Sequence, residues 1–217
     1  MIQGVIFDMD GLMFDSERMW DKLWLPCCEQ MGLPTPTEEF LSAGRGTTGE
    51  RLKRHIHDFY PTVDPQKMLE TMWKLGDVEF AKGVPVKPGL YELLDYLEEQ
   101  GIPRIVASSS PKNMILCNLQ TSNTMRYFHE VVSGLEVARS KPAPDIFLEA
   151  ARRLGIEPAR CLVLEDSYNG VRAGVAAGMT TVMVPDMMPP TEEMAGLYTA
   201  CCKDLREVRD LLAEGKL

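Results

Sequence analysis

Two aspartates one residue apart, Asp8 and Asp10, close the apolar run Val5-Ile6-Phe7, and Gly11 then lets the chain turn. Side chains alternate along an extended segment, so both carboxylates start on one face at the mouth of a strand. Parallel α/β sheets hold their ligands at that place. Two carboxylates there bind a hard cation, or divide nucleophilic and acid/base duties. Ser108-Ser109-Ser110 follow the apolar run Ile105-Val106-Ala107, and Glu165-Asp166 follow Cys161-Leu162-Val163-Leu164. Lys141 comes a brief loop after a short strand expected over 130–133. In a parallel sheet all these strand ends lie on one edge, so the groups converge.

Each group alone has a plainer explanation. Asp8 and Asp10 would serve as turn carboxylates, the serines as caps for a helix near Pro111, Lys141 as a solvated loop lysine, and Glu165-Asp166 as turn or cap residues. All four explanations would have to hold together, in this order along the chain. An EF-hand loop does not fit, because Leu12 stands where a ligand is needed. No G-x-x-x-x-G-K-[ST] phosphate loop occurs.

The chemistry that suits the set is phosphoryl transfer. One carboxylate attacks phosphorus and becomes an aspartyl phosphate. A second gives a proton to the leaving oxygen and later takes one from water. A cation held by carboxylates offsets charge on the phosphoryl oxygens, and Mg2+ fits because it favours oxygen ligands. A hydroxyl and an ammonium bind the remaining oxygens.

The elements that must position these groups follow from the apolar pattern. Residues 4–8 read as a strand buried on both faces. From Ser16 the pattern turns helical, with Met19, Leu23, Cys27 and Met31 on a stripe that stops at Gly32. Thr37 is placed to cap a short helix. Residues 48–59 form a helix with Leu52, Ile56 and Phe59 on one stripe, and residues 65–81 another carrying Met68, Met72, Leu75 and Val78. Almost no strand signal occurs between residues 14 and 82, so a helical insert follows the first strand directly. A Gly/Pro-rich hinge over 83–89 leads into alternation: helices over 90–100, 111–119, 144–154, 169–177 and 204–213, strands over 102–107, 130–133, 160–164 and 180–184. Pro111 suits a first helical position. The alternation predicts an α/β fold with a doubly wound, Rossmann-like parallel sheet.

The chain has 217 residues, enough for a core domain and a smaller insert. No apolar run approaches the ~18 residues that span a bilayer, and the first strand begins without a basic leader segment, so a cytoplasmic protein is expected. A formal net charge of −9 argues against a nucleic-acid partner. A phosphate site must then draw its positive potential from a cation, a lysine and backbone N–H groups. The six cysteines contain no C-x-x-C pair and are expected to be reduced thiols.

Four segments together resemble the haloacid dehalogenase-like superfamily, in the branch of β-phosphoglucomutase and many sugar phosphatases. They are Phe7-Asp8-Met9-Asp10-Gly11, Val106-Ala107-Ser108-Ser109-Ser110, Ser140-Lys141-Pro142-Ala143-Pro144-Asp145-Ile146-Phe147, and Leu164-Glu165-Asp166-Ser167-Tyr168-Asn169-Gly170 continuing to Met179. The resemblance implies that Asp8 is the nucleophile and a magnesium ligand. It makes Asp10 the general acid/base, with its backbone carbonyl on the metal. Ser108 and Lys141 would hold the transferring phosphoryl group, and Asp166 would ligate the metal, with Glu165 either a further metal ligand or a hydrogen-bonding partner of the ligands. Residues 1–13 and 86–217 would be the catalytic core, and 14–85 a helical cap that closes over the site. Gly11, Asp15, Arg45, Gly46, Ser109 and Asn169 would contact substrate. An acid at position 10 favours phosphate esters, since the dehalogenases and phosphonoacetaldehyde hydrolases of the superfamily carry another residue there.

Two departures separate phosphatase from mutase. The mutases carry a histidine shortly after the D-x-D motif, and Asp15-Ser16-Glu17-Arg18-Met19-Trp20 has none. Their caps grip a second phosphate with an arginine past the glycine loop, where this chain has Gly49-Glu50 and only Arg45 and Arg51 nearby. The reading is therefore a phosphomonoester phosphatase for a small phosphorylated metabolite, most simply a sugar phosphate, acting as a monomer with no membrane partner; a β-phosphoglucomutase-like activity is the alternative. A non-catalytic phospho-acceptor switch or binding module fits less well: receiver domains lack the insert and place their paired acids before the nucleophile strand, and an inactive module usually loses a catalytic residue, whereas none is missing here. His55 and His57 are expected at the surface, and Trp20, Trp24 and Trp73 in packing.

Overall fold

A computed structural model describes every residue except Met1, Gly46 and Thr48. The chain divides into two compact units, one made of Met1–Asp15 with Val84–Leu217 and the other of Ser16–Gly83.

The larger unit is built on a six-stranded sheet in the order β3-β2-β1-β4-β5-β6, parallel throughout. The strands are β1 Gly4–Phe7, β2 Arg104–Ser108, β3 Val131–Ser133, β4 Cys161–Glu165, β5 Thr180–Met183 and β6 Ala200–Cys201. β1 lies in the middle because its Gly-Val-Ile-Phe run has no polar side chain to solvate and is buried on both faces. Its register pairs Phe7 with Val106 of β2 and Leu164 of β4, which brings the ends of three strands level. Among the described residues six α-helices complete the unit: α5 Leu90–Glu99, α6 Lys112–Thr121, α7 Asp145–Leu154, α8 Tyr168–Ala176, α9 Glu192–Ala195 and α10 Leu205–Ala213. One face of the sheet, carrying Ile6, Ile105, Ala107, Val132 and Val163, packs on Ile146, Phe147 and Ala150 of α7 and on Ala173 of α8. From β2 onward strands and helices alternate along the chain, as a doubly wound sheet requires.

Several boundaries differ from the pattern-based expectation for local reasons. Pro111 occupies the cap position rather than the first helical turn, with an extended ψ of 145°. The short helix α9 and two-residue strand β6 carry too few residues for any periodicity to register.

The smaller unit is entirely helical among its described residues: α1 Ser16–Gln30, α2 Glu38–Gly44, α3 Gly49–Phe59 and α4 Pro65–Phe80. Thr37 caps α2 by accepting a hydrogen bond from the Phe40 N–H at 3.1 Å. Phe40 is buried at the centre of an aromatic cluster, with ring centroids of Trp24, His55, Phe59 and Tyr60 at 4.9, 4.8, 5.4 and 5.3 Å. His55 is therefore not the surface residue expected: its ring stacks on Phe40 and its Nε2–H donates to the Phe40 carbonyl at 2.8 Å. His57 is exposed. The buried stripe of α4 runs Met68, Leu69, Met72, Gly76 and Phe80, and Val78 is 61% exposed. The stripe is set by Trp20, whose ring fills the space a side chain at position 76 would need and packs on Phe80 at 4.8 Å. Trp73 is 43% exposed, so packing falls to Trp20 and Trp24 alone. Phe59 likewise touches the cluster while remaining partly exposed. Truncating the central ring, Phe40→Ala, is expected to cost about 3–5 kcal/mol, read as a lowered urea midpoint in tryptophan fluorescence.

All six cysteines are free thiols. No described helix is long and apolar enough to cross a membrane.

Candidate active site

Asp8 lies one residue past β1 and stays in the ladder, its N–H donating to the Leu164 carbonyl at 3.0 Å. Its carboxylate therefore faces the end of β4, where Glu165 is fully buried. Lys141 reaches between them. Its Nζ donates to Asp8 Oδ1 at 2.5 Å, to Glu165 Oε1 at 2.7 Å and to the Ala107 carbonyl at 3.3 Å. The ammonium also lies 4.8 Å from the centroid of the Phe147 ring, supplied by α7. A solvated loop lysine would make none of these contacts.

Glu165 is held from its other side. Ser167 donates to Oε2 through its backbone N–H at 3.0 Å and through its hydroxyl at 2.9 Å. The same hydroxyl caps α8 by accepting from the Gly170 N–H at 3.1 Å. Position 170 must be glycine, because a Cβ there would lie 1.8 Å from the Glu165 carboxyl. Gly11 plays a matching part: it adopts φ +82°, and a Cβ would stand 2.2 Å from Asp166 Oδ2. The turn after β1 thus lets the Asp166 carboxylate approach the backbone beside Asp10.

Carboxylate oxygens of Asp8, Glu165 and Asp166 all come within 4.8 Å of one another. An all-oxygen, anionic donor set of this kind fits a hard cation such as Mg2+ and offers nothing to a soft metal. Electrostatics point the same way. Burial pushes the Asp8 carboxyl well above its ordinary range, and the negative charges of Glu165 and Asp10 add to the effect against the pull of Lys141. Burial opposes the Lys141 charge as well, but Asp8 and Glu165 outweigh it and hold the ammonium above its ordinary range. A lysine held charged beside several carboxylates leaves the cluster with excess negative charge, which a divalent cation would balance.

Asp10 is turned to a different set of partners. Its Oδ2 accepts hydrogen bonds from Ser108 Oγ at 3.1 Å and Ser110 Oγ at 2.7 Å. The two carboxylates of the D-x-D pair therefore sit in unlike surroundings, one against an ammonium and one against two hydroxyls.

The structure brings together Asp8, Asp10, Ser108, Lys141, Glu165 and Asp166. Ser109 packs its backbone beside Gly134, Asn169 is half-buried in the first turn of α8, and the Asp15 N–H donates to the Pro85 carbonyl at 2.8 Å. In the helical unit Arg45 is engaged by Asp21, at 3.0 Å from Nε and 2.8 Å from Nη2, and lies 3.5 Å from Glu38. Gly46, also expected to contact substrate, lies outside the described residues. Sequence reasoning missed the parts of Ser110 and Ser167. The triple serine run offered Ser110 as a candidate, and only its contact with Asp10 separates it from Ser109.

The family model for haloacid dehalogenase-like hydrolases matches residues 5–184. The chain belongs to this family. Among curated relatives of this haloacid dehalogenase-like hydrolase, "Hexitol phosphatase B" of Escherichia coli (strain K12) is 32% identical over 189 residues, covering 85% of this chain and 84% of the relative. A "Probable pseudouridine-5'-phosphatase" of Drosophila melanogaster is 35% identical over 187 residues, covering 83% and 80%. Among solved structures, a putative beta-phosphoglucomutase from Thermotoga maritima superposes with a TM-score of 0.80 at 25% identity, covering 98% of this chain and 99% of that one.

Proposed function

We propose that this haloacid dehalogenase-like hydrolase is a Mg2+-dependent phosphomonoester phosphatase, acting through an aspartyl phosphate on small sugar phosphates. The observation that carries the reading is the division of the D-x-D pair, with Asp8 against Lys141 and Asp10 against Ser108 and Ser110. Asp8 attacks phosphorus, the bond from phosphorus to the leaving oxygen breaks, and Asp10 gives that oxygen its proton. Water then attacks phosphorus, the bond to Asp8 breaks, and Asp10 takes up the proton lost by the water. Lys141 and the Ser108 hydroxyl hold phosphoryl oxygens through both steps. Asp8, Asp166 and Glu165, with the Asp10 carbonyl, would hold Mg2+, whose chemistry is to offset charge on the phosphoryl oxygens.

These relatives support a phosphorylated-metabolite substrate, and the hexitol phosphatase supports a phosphate ester of a sugar alcohol or related sugar. The segment Ser16–Gly83 is read as the family's cap domain, and the remainder as the catalytic core. Small metabolites are the expected partners, in a monomeric cytoplasmic enzyme. The mutase alternative draws on the Thermotoga neighbour. It is opposed by the absence of histidine from 15–20 and by the engagement of Arg45 with Asp21.

Phosphate release from a panel of phosphorylated metabolites with Mg2+, including β-glucose 1-phosphate, tests the reading. Multiple turnovers on a sugar phosphate support it. Conversion of β-glucose 1-phosphate to glucose 6-phosphate without phosphate release, given a bisphosphate activator, overturns it. Stripping divalent cations with a chelator is expected to lower turnover by roughly 10²-fold or more, and Mg2+ to restore it.

A further inference from the structure

We infer that Ser110 is a positioning residue for Asp10, the hydroxyl that keeps the acid/base carboxylate in place once substrate has claimed Ser108. The inference rests on the acid/base reading of Asp10 proposed above. It starts from a conflict of donors. In the structure Asp10 Oδ2 accepts from both Ser108 Oγ, at 3.1 Å, and Ser110 Oγ, at 2.7 Å. A serine hydroxyl has one proton to donate. When Ser108 gives its proton to a phosphoryl oxygen it releases Asp10, and the shorter bond from Ser110 is the one that remains.

The backbone around Ser110 is built to hold that bond. The Ser110 N–H donates to Ser108 Oγ at 3.0 Å, which occupies an acceptor site on that hydroxyl and turns its proton outward. The Ser110 carbonyl accepts from Ser133 Oγ at 2.7 Å. Ser133 is the last residue of β3, it is buried, and its hydroxyl also accepts from the Leu135 N–H at 3.3 Å. The chain Ser133–Ser110–Asp10 therefore ties the acid/base group to the end of a neighbouring strand. A side chain fixed this way presents its carboxyl to the leaving oxygen without first losing rotamer freedom.

The consequence concerns the leaving group. Alkoxide departure from a sugar phosphate needs the proton from Asp10, whereas p-nitrophenolate leaves without one. The ratio kcat/KM covers only steps up to leaving-group departure, so it isolates this role from the later attack of water. Ser110→Ala is expected to lower kcat/KM on the best sugar phosphate by about 10–100-fold. The loss on p-nitrophenyl phosphate should be smaller by at least roughly tenfold. Ser110→Thr, which keeps the hydroxyl, should recover most of the difference. Ser133→Ala, which loosens the Ser110 carbonyl, should show the same bias more weakly.

Asp10→Asn run beside them separates the role of Ser110 from the acid/base role of Asp10. If Asp10→Asn shows the alkyl-over-aryl bias and Ser110→Ala does not, the Ser110 inference is wrong and the acid/base reading stands. Equal losses on both substrates in Asp10→Asn would remove the acid/base reading and the inference with it. An equal loss on both substrates in Ser110→Ala, unrescued by threonine, marks Ser110 as structural and also overturns the inference.

Discussion

Asp8→Asn is expected to lower kcat by roughly 10⁴-fold or more while leaving the fold intact, because the residue removed is the one that becomes phosphorylated. An amide keeps the shape of the carboxyl and cannot attack phosphorus. The fold survives because the change leaves no buried charge alone. Lys141 retains Glu165 at 2.7 Å and the Ala107 carbonyl at 3.3 Å. Burial already pushes the Asp8 carboxyl well above its ordinary range, so a neutral group at this position is less costly than an ionised one. Thermal melts should show Asp8→Asn at or slightly above the wild type, and phosphate-release assays should show almost no turnover. A large drop in stability would mean that Asp8 serves the core rather than the chemistry.

Lys141→Met is expected to damage both properties. Methionine fills the stem of the lysine and lies as readily on Phe147, so packing is largely kept. The charge is not. Asp8 and Glu165 are left as neighbouring buried carboxylates without their ammonium, and breaking a buried pair from one side costs about 3–5 kcal/mol. Turnover should fall by roughly 10³-fold through loss of a charged phosphoryl contact. The pH dependence follows from the sign of the carboxyl shift. With the ammonium gone, a buried carboxyl has a folded-state pKa above its unfolded value, so it destabilises the fold at neutral pH and the penalty shrinks as the pH falls toward protonation. The urea midpoint of Lys141→Met should therefore approach that of the wild type on acidification. Added Mg2+ should also recover part of it, by supplying positive charge to the same oxygens.

Much of this site was legible because a parallel sheet converts order along the chain into proximity. Asp8, Ser108 and Glu165 each follow an apolar run, and the register that pairs Phe7 with Val106 and Leu164 brings their strand ends level. Lys141 was legible as a candidate, while its bridge from Asp8 to Glu165 is a tertiary contact that order along the chain does not give. What stayed hidden are choices among neighbours. Within the serine run 108–110 the motif singles out Ser108, but residue type does not tell Ser109 from Ser110, and the turn after β2 aims Ser108 and Ser110 at Asp10. The stripe of α4 moved from Val78 to Gly76 and Phe80 because Trp20, more than fifty residues earlier, needs the gap at the glycine. His55 became part of an aromatic core through a carbonyl fifteen residues away. Local periodicity carries no information about such partners. Arg45 shows the same limit from the other side, since its engagement with Asp21 is a tertiary pairing that loop composition does not encode.

Phosphorylation of Asp8 during turnover is the step on which the proposed mechanism depends. Its most direct test is to quench the enzyme during turnover of its best substrate and treat it with borohydride, which reduces an acyl phosphate to an alcohol. Peptide mass spectrometry then reads position 8. Homoserine is expected at position 8 in the wild type and none in Asp8→Asn. Reduction at another carboxylate, or full turnover with position 8 never modified, would contradict it.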